Sequence, residues 1–184
     1  MSWPFWGALT SSWANATADA VTAIKEAYSS MFAAELVTEL EEIRARFPYP
    51  KAAMVPVLRR LQTEKGWLDK ETQAWVAEFL SVNAIEVHEV VTFYPMLYAD
   101  PVGKHVVHVC RTLSCEVCGG KELWRHLEKK LGVTRGETSA DGKFTLRAAE
   151  CLASCGTAPV MLIDNVRHEH VGPEEADKLL GVVG

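Results

Sequence analysis

Hydrophobic residues recur at helical spacing through the first half of the chain. The first predicted helix places four of them on one stripe: Leu36, Leu40, Ile43 and Phe47. Pro48 and Pro50 end this helix, because proline cannot continue one. Three further helices are predicted, one beginning between residues 52 and 56 and the others at the N-cap candidates Asp69 and Asn83. Four short helices joined by tight turns predict a small helical bundle.

The hydrophobic period changes after residues 98–103, where a proline and a glycine favour a domain boundary. In chain order the pattern then predicts a strand at 105–109, a helix at 119–131, a strand at 144–148, a hairpin at 160–171 and a helix from Pro173. This order is an α/β layer with an incomplete thioredoxin-like arrangement. We therefore predict an α+β or α/β protein, with a helical bundle at 35–100 and a thioredoxin-like domain at 101–184.

Residues 1–34 form a separate N-terminal segment in this prediction. Its first 14 residues contain four large aromatic side chains: Trp3, Phe5, Trp6 and Trp13. Apolar residues then recur at helical spacing and predict an amphipathic helix over about 16–33. Such a helix can pack on its own domain, or it can be an arm that docks on a partner subunit, since large apolar patches usually mark contacts. Both interpretations stay open.

The composition limits the class of protein. Of the 184 residues, 48% are hydrophobic, which is enough to bury a core, and the formal charge of −5 gives no indication of nucleic-acid or membrane-surface binding. The first 24 residues contain no Lys or Arg, unlike a secretory signal or a mitochondrial presequence. No stretch approaches the roughly 20 apolar residues that span a bilayer. We therefore expect a soluble, cytoplasmic protein.

Two cysteine pairs carry the candidate chemistry: Cys110 with Cys115, and Cys151 with Cys155. Each pair follows a predicted strand and lies in a loop-like segment rich in small and hydroxyl residues. Five cysteines are too few for a disulfide framework in a chain of this length and fit a reducing compartment. Four thiolates suit iron–sulfur or zinc ligation, because both metals favour soft sulfur ligands. We predict a [2Fe–2S] cluster bound by the four paired cysteines.

The fifth cysteine, Cys118, raises two alternatives. With Cys115 it forms a C-x-x-C pair, which is typical of a thiol redox centre but leaves the second pair without a role. The run of Cys110, Cys115 and Cys118 also matches the C-x₄-C-x₂-C spacing of plant-type ferredoxins, whose fourth ligand is distant. That arrangement would use only one cysteine of the second pair. Because the second pair already offers two ligands, we predict that Cys118 is a non-ligand near the cluster.

Two further interpretations concern the four paired cysteines. A structural zinc ion bound by all four is physically possible, although such sites usually show C-x₂₋₄-C spacing. Buried free cysteines are also common in protein cores. Scattered core cysteines are not expected to fall as two tight groups that each follow a predicted strand, so the iron–sulfur prediction is favoured.

Polar residues of the cysteine segments are candidates for tuning such a cluster. Hydroxyl or backbone N–H donors are predicted at four positions: Thr112, Ser114, Ser154 and Gly156. Arg111 and Arg147 could stabilise a reduced, more anionic site, although loop packing or solvation is an equally good reason for any of these residues. The sequence contains no G-x-G-x-x-G fingerprint after a strand, so NADH and flavin are not expected to bind to this chain.

Six segments together resemble one known family. They are 54–62 (MVPVLRRLQ), 65–67 (KGW), 91–94 (VTFY), 110–115 (CRTLSC), 122–124 (ELW) and 150–160 (ECLASCGTAPV). In this order they resemble the 24 kDa-type subunit of respiratory complex I, the thioredoxin-like [2Fe–2S] ferredoxin of its NADH dehydrogenase module. The resemblance covers about residues 35–180. One departure lies in the second cysteine segment, where the family usually has glycine at the position of Ala153.

The resemblance implies an electron-transfer subunit of NADH:quinone oxidoreductase without a substrate site of its own. A partner subunit would hold FMN and the NADH site, and this chain would exchange single electrons with that flavin through its cluster. The chain would then be associated peripherally with the inner face of the membrane through the complex, with other peripheral-arm subunits as neighbours. NAD-dependent formate dehydrogenases and hydrogenases carry similar subunits, so the resemblance leaves the larger assembly open.

Overall fold

The computed structural model describes residues 31–183 of the chain. The aromatic residues at 1–14 and almost all of the helix predicted at 16–33 lie outside this range. The chain divides into two compact units, residues 1–99 and residues 100–184. Within the described range, no helix is long and apolar enough to cross a membrane.

The first unit contains four α-helices in its described part: α1 (Ala34–Ala45), α2 (Met54–Lys65), α3 (Lys70–Phe79) and α4 (Ala84–Phe93). A 3₁₀ turn, Pro50–Ala53, leads into α2. The Asp69 carboxylate accepts the Thr72 N–H at 2.8 Å and caps α3. At the start of α4, the Glu86 carboxylate accepts the Asn83 N–H at 3.0 Å. The predicted starts of these two helices are confirmed.

One hydrophobic cluster holds the four helices together. Its fully buried members include one or more residues from each helix: Leu40, Val57, Leu58, Leu61, Val76 and Val87. Trp75 stacks on Phe79 with ring centroids 4.9 Å apart, and it meets Phe32 edge to face at 5.0 Å. The stripe predicted for α1 is therefore a core-facing stripe.

The second unit contains a four-stranded sheet and two long helices. The strands are β1 (His105–Cys110), β2 (Phe144–Ala149), β3 (Met161–Ile163) and β4 (Val166–His168). The helices are α5 (Lys121–Leu131), between β1 and β2, and α6 (Pro173–Val183), after β4. The strand–helix–strand and hairpin–helix order predicted from the sequence is confirmed.

The sheet brings the two cysteine segments to one edge. β1 and β2 are parallel neighbours, with Cys110 paired opposite Ala149. β3 runs antiparallel on the other side of β1 and pairs with β4, so the strand order is β2-β1-β3-β4. Parallel strands end at the same side of a sheet. Cys110 is the last residue of β1 and Cys151 follows shortly after β2, so the two segments leave the sheet side by side.

The hairpin between β3 and β4 is shorter than predicted. Asp164 and Asn165 both have positive φ, at 50° and 68°, as a tight two-residue hairpin turn requires. The predicted second strand extends to residue 171, but β4 ends at His168. Beyond it the backbone bonds elsewhere, because the His170 N–H donates to the Thr157 carbonyl at 2.8 Å and the Val171 N–H donates to the Pro159 carbonyl at 2.9 Å. These bonds fasten the chain to the second cysteine segment.

A separate hydrophobic core fills the second unit. It combines side chains of the sheet with those of α5 and α6, including Val107, Val109, Leu123, Leu127, Leu146, Met161 and Leu180. α5 contacts both β2 and α6. The apolar stripe predicted for α5 is therefore packed on the sheet.

Candidate metal centre

The first cysteine segment is helical rather than the loop that the sequence predicts. Cys110 ends β1, and the chain turns at once into a helical turn, Leu113–Cys115, and then a wide π-type turn, Glu116–Gly120. The Glu116 N–H donates to the Thr112 carbonyl at 2.9 Å and closes the first of these turns. Cys115 therefore lies on a path of helical turns that leads into α5 and is kinked at Gly119.

Two glycines make this path possible. A Cβ atom at Gly120 would lie 2.6 Å from the Cys115 carbonyl oxygen, well inside contact distance. Gly119 has a φ of 103°, which side chains other than glycine rarely adopt. These requirements explain why α5 begins at Lys121 and not at Gly119, where the sequence pattern placed it.

Both cysteines of the first segment are buried. Cys110 is 4% exposed and Cys115 is 1% exposed, and they pack with Val160 in a small apolar cluster. The Cys110 N–H donates to the Val160 carbonyl at 3.1 Å, and the Arg111 N–H donates to the Ala149 carbonyl at 3.0 Å. The segment is therefore bonded to the chain on both sides of β1, which fixes the backbone at its first cysteine.

The second cysteine segment is an exposed, irregular loop. Cys151 and Cys155 are both exposed, and a short 3₁₀ turn, Cys155–Thr157, follows. Between them Ala153 has a φ of 54°, in the left-handed region, where an L side chain is strained. In this conformation the Ala153 N–H points at the Cys151 sulfur, 3.4 Å away. The strained residue thus supplies a donor to a predicted ligand.

The Ser154 hydroxyl forms hydrogen bonds with Thr157 and Glu169 and not with a cysteine sulfur. It lies 2.8 Å from the Thr157 hydroxyl and donates to the Glu169 carboxylate. The sequence offered a hydroxyl or backbone donor to sulfur at this position, with loop packing as the alternative, and the Ser154 hydroxyl takes the loop-packing role. The physical reason is that Glu169, which follows β4, presents a carboxylate to the loop and is a stronger acceptor than a thiol.

Thr112 does approach a sulfur, as predicted. Its hydroxyl lies 3.2 Å from the Cys110 sulfur. Burial acts to raise the pKa of Cys110, but hydrogen bonds from the hydroxyl and N–H of Thr112 and from the N–H of Leu152 outweigh it, so the pKa lies below its ordinary value. These donors favour the thiolate form, which is the form that binds metal.

Cys115 differs from its neighbour in the protein without metal. Burial, together with a hydrogen bond to the Cys110 sulfur, raises the pKa of Cys115 to about 11, although the Val160 N–H acts in the opposite direction. The charge of Cys155 also acts on this thiol. Cys110 and Cys115 therefore lie side by side, and Cys155 of the second segment is close enough to influence them.

The donor set fits a [2Fe–2S] cluster. Such a cluster takes two thiolates at each iron, and it favours a partly dry site with N–H and O–H donors aimed at the sulfurs. The two segments supply two cysteines each, and they supply backbone donors at Thr112, Leu152, Ala153 and Val160. Among residues 31–183, no group of three or more His, Cys, Asp or Glu side chains is arranged to hold a single metal ion.

The remaining predicted residues have other positions. Cys118 is exposed within the π-type turn. Gly156 has no heavy atom within 4 Å of the place where a Cβ would be, so no close approach requires it. Arg111 forms an ion pair with Glu150 at 2.6 Å. Sequence analysis missed Glu150, Glu169 and the backbone donors at Leu152, Ala153 and Val160, because their roles depend on which segments the sheet brings together.

The fold and the site define a class of protein: a protein of helices and a mixed sheet in which two cysteine-containing segments leave the ends of two parallel strands. The chain belongs to the thioredoxin-like [2Fe-2S] ferredoxin family, whose profile matches residues 40–183. The family resemblance seen in the sequence and its [2Fe–2S] cofactor are thereby confirmed.

Named relatives share most of the chain. An E-type subunit of the NADH-quinone oxidoreductase of Rhizobium meliloti (strain 1021) is 38% identical over 142 residues, which are 77% of this chain and 84% of that protein. NADH-quinone oxidoreductase subunit 2 of Thermus thermophilus is 41% identical over 128 residues, which are 68% of this chain and 71% of that protein.

A solved structure shares the fold. The air-oxidized NAD+-reducing [NiFe]-hydrogenase superposes with a TM-score of 0.59 at 20% identity, over 68% of this chain and 22% of the hydrogenase chain. This similarity extends over a small part of the larger hydrogenase chain.

Proposed function

We propose that this chain is a single-electron carrier of an NADH:quinone oxidoreductase, with a [2Fe–2S] cluster bound by Cys110, Cys115, Cys151 and Cys155. The observation that carries the proposal is the convergence of two cysteine pairs at one sheet edge, with backbone N–H groups directed at their sulfurs. When bound, the cluster supplies reversible one-electron transfer, which none of the side chains provides.

The chain's own residues prepare this site. The packing of Val160, Leu152 and Ala158 against Cys110 and Cys115 keeps water from one side of the sulfurs. Donors from Thr112 and from the backbone stabilise negative charge on the sulfurs before metal arrives and balance the anionic cluster afterwards. The chain has no catalytic residue in this proposal, and its role is to hold the cluster in one geometry and at one potential.

The partner in this proposal is the subunit that binds FMN and NADH. The relatives' names, which describe subunits of NADH-quinone oxidoreductases, support a multi-subunit setting. Two exposed hydrophobic side chains beside Cys115 support a protein contact there: Leu113 is 79% exposed and Val117 is 77% exposed. The chain would thus reach the inner face of the membrane only through the complex.

The domain roles complete the proposal. Residues 101–184 bind the cluster, and residues 35–100 form a helical bundle that enlarges the contact surface for other peripheral-arm subunits. Each described unit has its own buried hydrophobic core, which supports the division into a helical bundle and a domain that binds the iron–sulfur cluster.

Electron exchange with the partner tests the function. The purified chain, alone and paired with the flavin subunit from the same organism, is mixed with excess NADH, and its cluster signal is followed by electron paramagnetic resonance. We expect reduction in the pair and none in the chain alone. Equal behaviour of the two samples would contradict the proposed role. Whether quinone-reductase, formate dehydrogenase or hydrogenase subunits co-purify with the chain identifies the assembly.

A further inference from the structure

Arg111 and Glu150 connect the two cysteine segments. Arg111 directly follows Cys110, and Glu150 directly precedes Cys151. The guanidinium Nη2 atom of Arg111 lies 2.6 Å from Oε1 of Glu150. The pair continues the parallel pairing of β1 and β2 by one step, because the Arg111 N–H also donates to the Ala149 carbonyl at 3.0 Å. Each charge is therefore one residue away from a proposed cluster ligand.

The pair contributes little to folding stability. Arg111 is 49% exposed and Glu150 is 71% exposed, and ion pairs of this exposure are screened by water and salt. Their position gives them another effect. Reduction of a cluster adds one negative charge at the site, so a nearby positive charge favours reduction and a nearby negative charge opposes it.

Other charged side chains lie near the pair. Arg111, Lys121, Arg135 and Glu116 line a cavity of about 200 Å³ that Cys110 also lines, with Trp124 at its wall. Lys121 lies 3.7 Å from Glu116, a looser pair than the one at Arg111. Glu150 is the carboxylate in direct contact with Arg111. Its charge therefore cancels the cation that is nearest in sequence to Cys110.

We propose that the Arg111–Glu150 ion pair is a charge-balancing device that sets the reduction potential of the cluster. The inference rests on the proposed ligand set. Removal of one of the two charges leaves the opposite charge uncompensated next to the cluster. Loss of both restores the balance, because the two charges are opposite and lie at the same edge of the site.

The test is a redox titration of the full chain, followed by electron paramagnetic resonance. Glu150→Gln is expected to shift the midpoint potential to more positive values and Arg111→Gln to more negative values. The double variant is expected to lie closer to the wild type than either single variant. Glu150→Asp and Arg111→Lys keep the charges and are expected to lie near the wild type. Raising the salt concentration should reduce all of these shifts.

Matched controls lie in the last turn of α5. Glu128→Gln and Lys129→Gln change the same charges about 10–12 Å further along the helix axis than Lys121, at about 1.5 Å per residue. They are expected to leave the potential unchanged. Shifts of both single variants in the same direction, or shifts no larger than the controls, would overturn the inference while the cluster itself stands. A wild-type protein without a cluster signal would overturn the proposed function and this inference together.

Discussion

The two cysteine segments present their sulfurs in contrasting ways. The first has two buried cysteines and a backbone bonded to its neighbours, and it runs into α5 through helical turns with a kink at Gly119. The second has two exposed cysteines and an irregular backbone, and it is held by polar contacts of Ser154, Thr157 and Glu169 and by the packing of Leu152 against the first segment. The first pair is therefore fixed mainly by the packed sheet unit, whereas the second pair depends more on polar contacts and lies beside one strained residue.

This contrast has consequences for cluster chemistry. The first segment supplies geometry and low solvent access, whereas the second supplies the exposed side through which the site meets its surroundings. Substitutions in the first segment should mainly affect assembly and stability of the site. Substitutions in the second should mainly affect how readily the cluster is lost. Four paired experiments test this difference.

Removal of a ligand from either segment should have the largest effect. Cys115→Ala and Cys155→Ala are each expected to reduce iron from roughly two atoms per chain to almost none, because every thiolate is needed. Iron analysis and visible absorbance measure this loss. Cys118→Ala is the control and should retain the cluster. A Cys118→Ala protein without iron, together with a Cys155→Ala protein that keeps it, would support the plant-type ligand spacing instead.

A glycine substitution in each segment should separate the two architectures. Gly120→Ala places a Cβ 2.6 Å from the Cys115 carbonyl oxygen and is expected to destabilise the sheet unit by about 1–3 kcal/mol. Gly156→Ala has no heavy atom within 4 Å and should change stability by less than about 0.5 kcal/mol. The measurement is the urea concentration at which half of the cluster absorbance is lost. Equal urea midpoints for the two variants would contradict the proposed difference in packing between the two cysteine segments.

Hydroxyl groups of the two segments should also differ. Thr112→Val removes a hydroxyl 3.2 Å from the Cys110 sulfur. It is expected to lower the reduction potential by tens of millivolts, and a change of about 59 mV corresponds to a tenfold change in the equilibrium constant for transfer of one electron. Ser154→Ala removes a hydroxyl directed at Glu169 and should leave the potential near that of the wild type. A redox titration compares them. A larger shift for Ser154→Ala than for Thr112→Val would contradict our assignment of donors.

Strain at Ala153 should give the smallest effect. Ala153→Gly relieves a left-handed conformation that costs about 1–2 kcal/mol, against about 0.4–1 kcal/mol of added freedom in the unfolded chain. We expect a net gain of up to about 1.5 kcal/mol and slower loss of the cluster to a chelator. Ser81→Gly, at a φ of 55° in the helical unit, is the control and should not alter cluster retention. Faster cluster loss in Ala153→Gly would show that the methyl group supports the loop.

Much of the fold follows from local patterns. The caps at Asp69 and Asn83, the hairpin turn at Asp164 and the stripe of α5 each depend on neighbours in sequence, so the sequence predicts them. The helical path at Leu113 could not be predicted in this way. It depends on the close approach of Gly120 to Cys115, which only the packed structure reveals.

The candidate site also combines features that the sequence predicts with features that only the folded structure reveals. The four cysteines stand out by residue type and spacing, and the family resemblance reinforces them. The hydrogen-bond donors to the cysteines could not be predicted in the same way, because the donors of Leu152 and Val160 are backbone N–H groups and do not depend on the type of side chain. Ser154 shows the limit most clearly: its hydroxyl type suggested a sulfur donor, but Glu169 of a distant segment accepts its hydrogen bond.

Electron paramagnetic resonance of the dithionite-reduced full chain, with parallel iron and zinc analysis, tests the central claim most directly. We predict a rhombic S = ½ signal from roughly two irons per chain, as a reduced [2Fe–2S] cluster requires. A colourless protein that contains zinc and gives no signal would contradict the account.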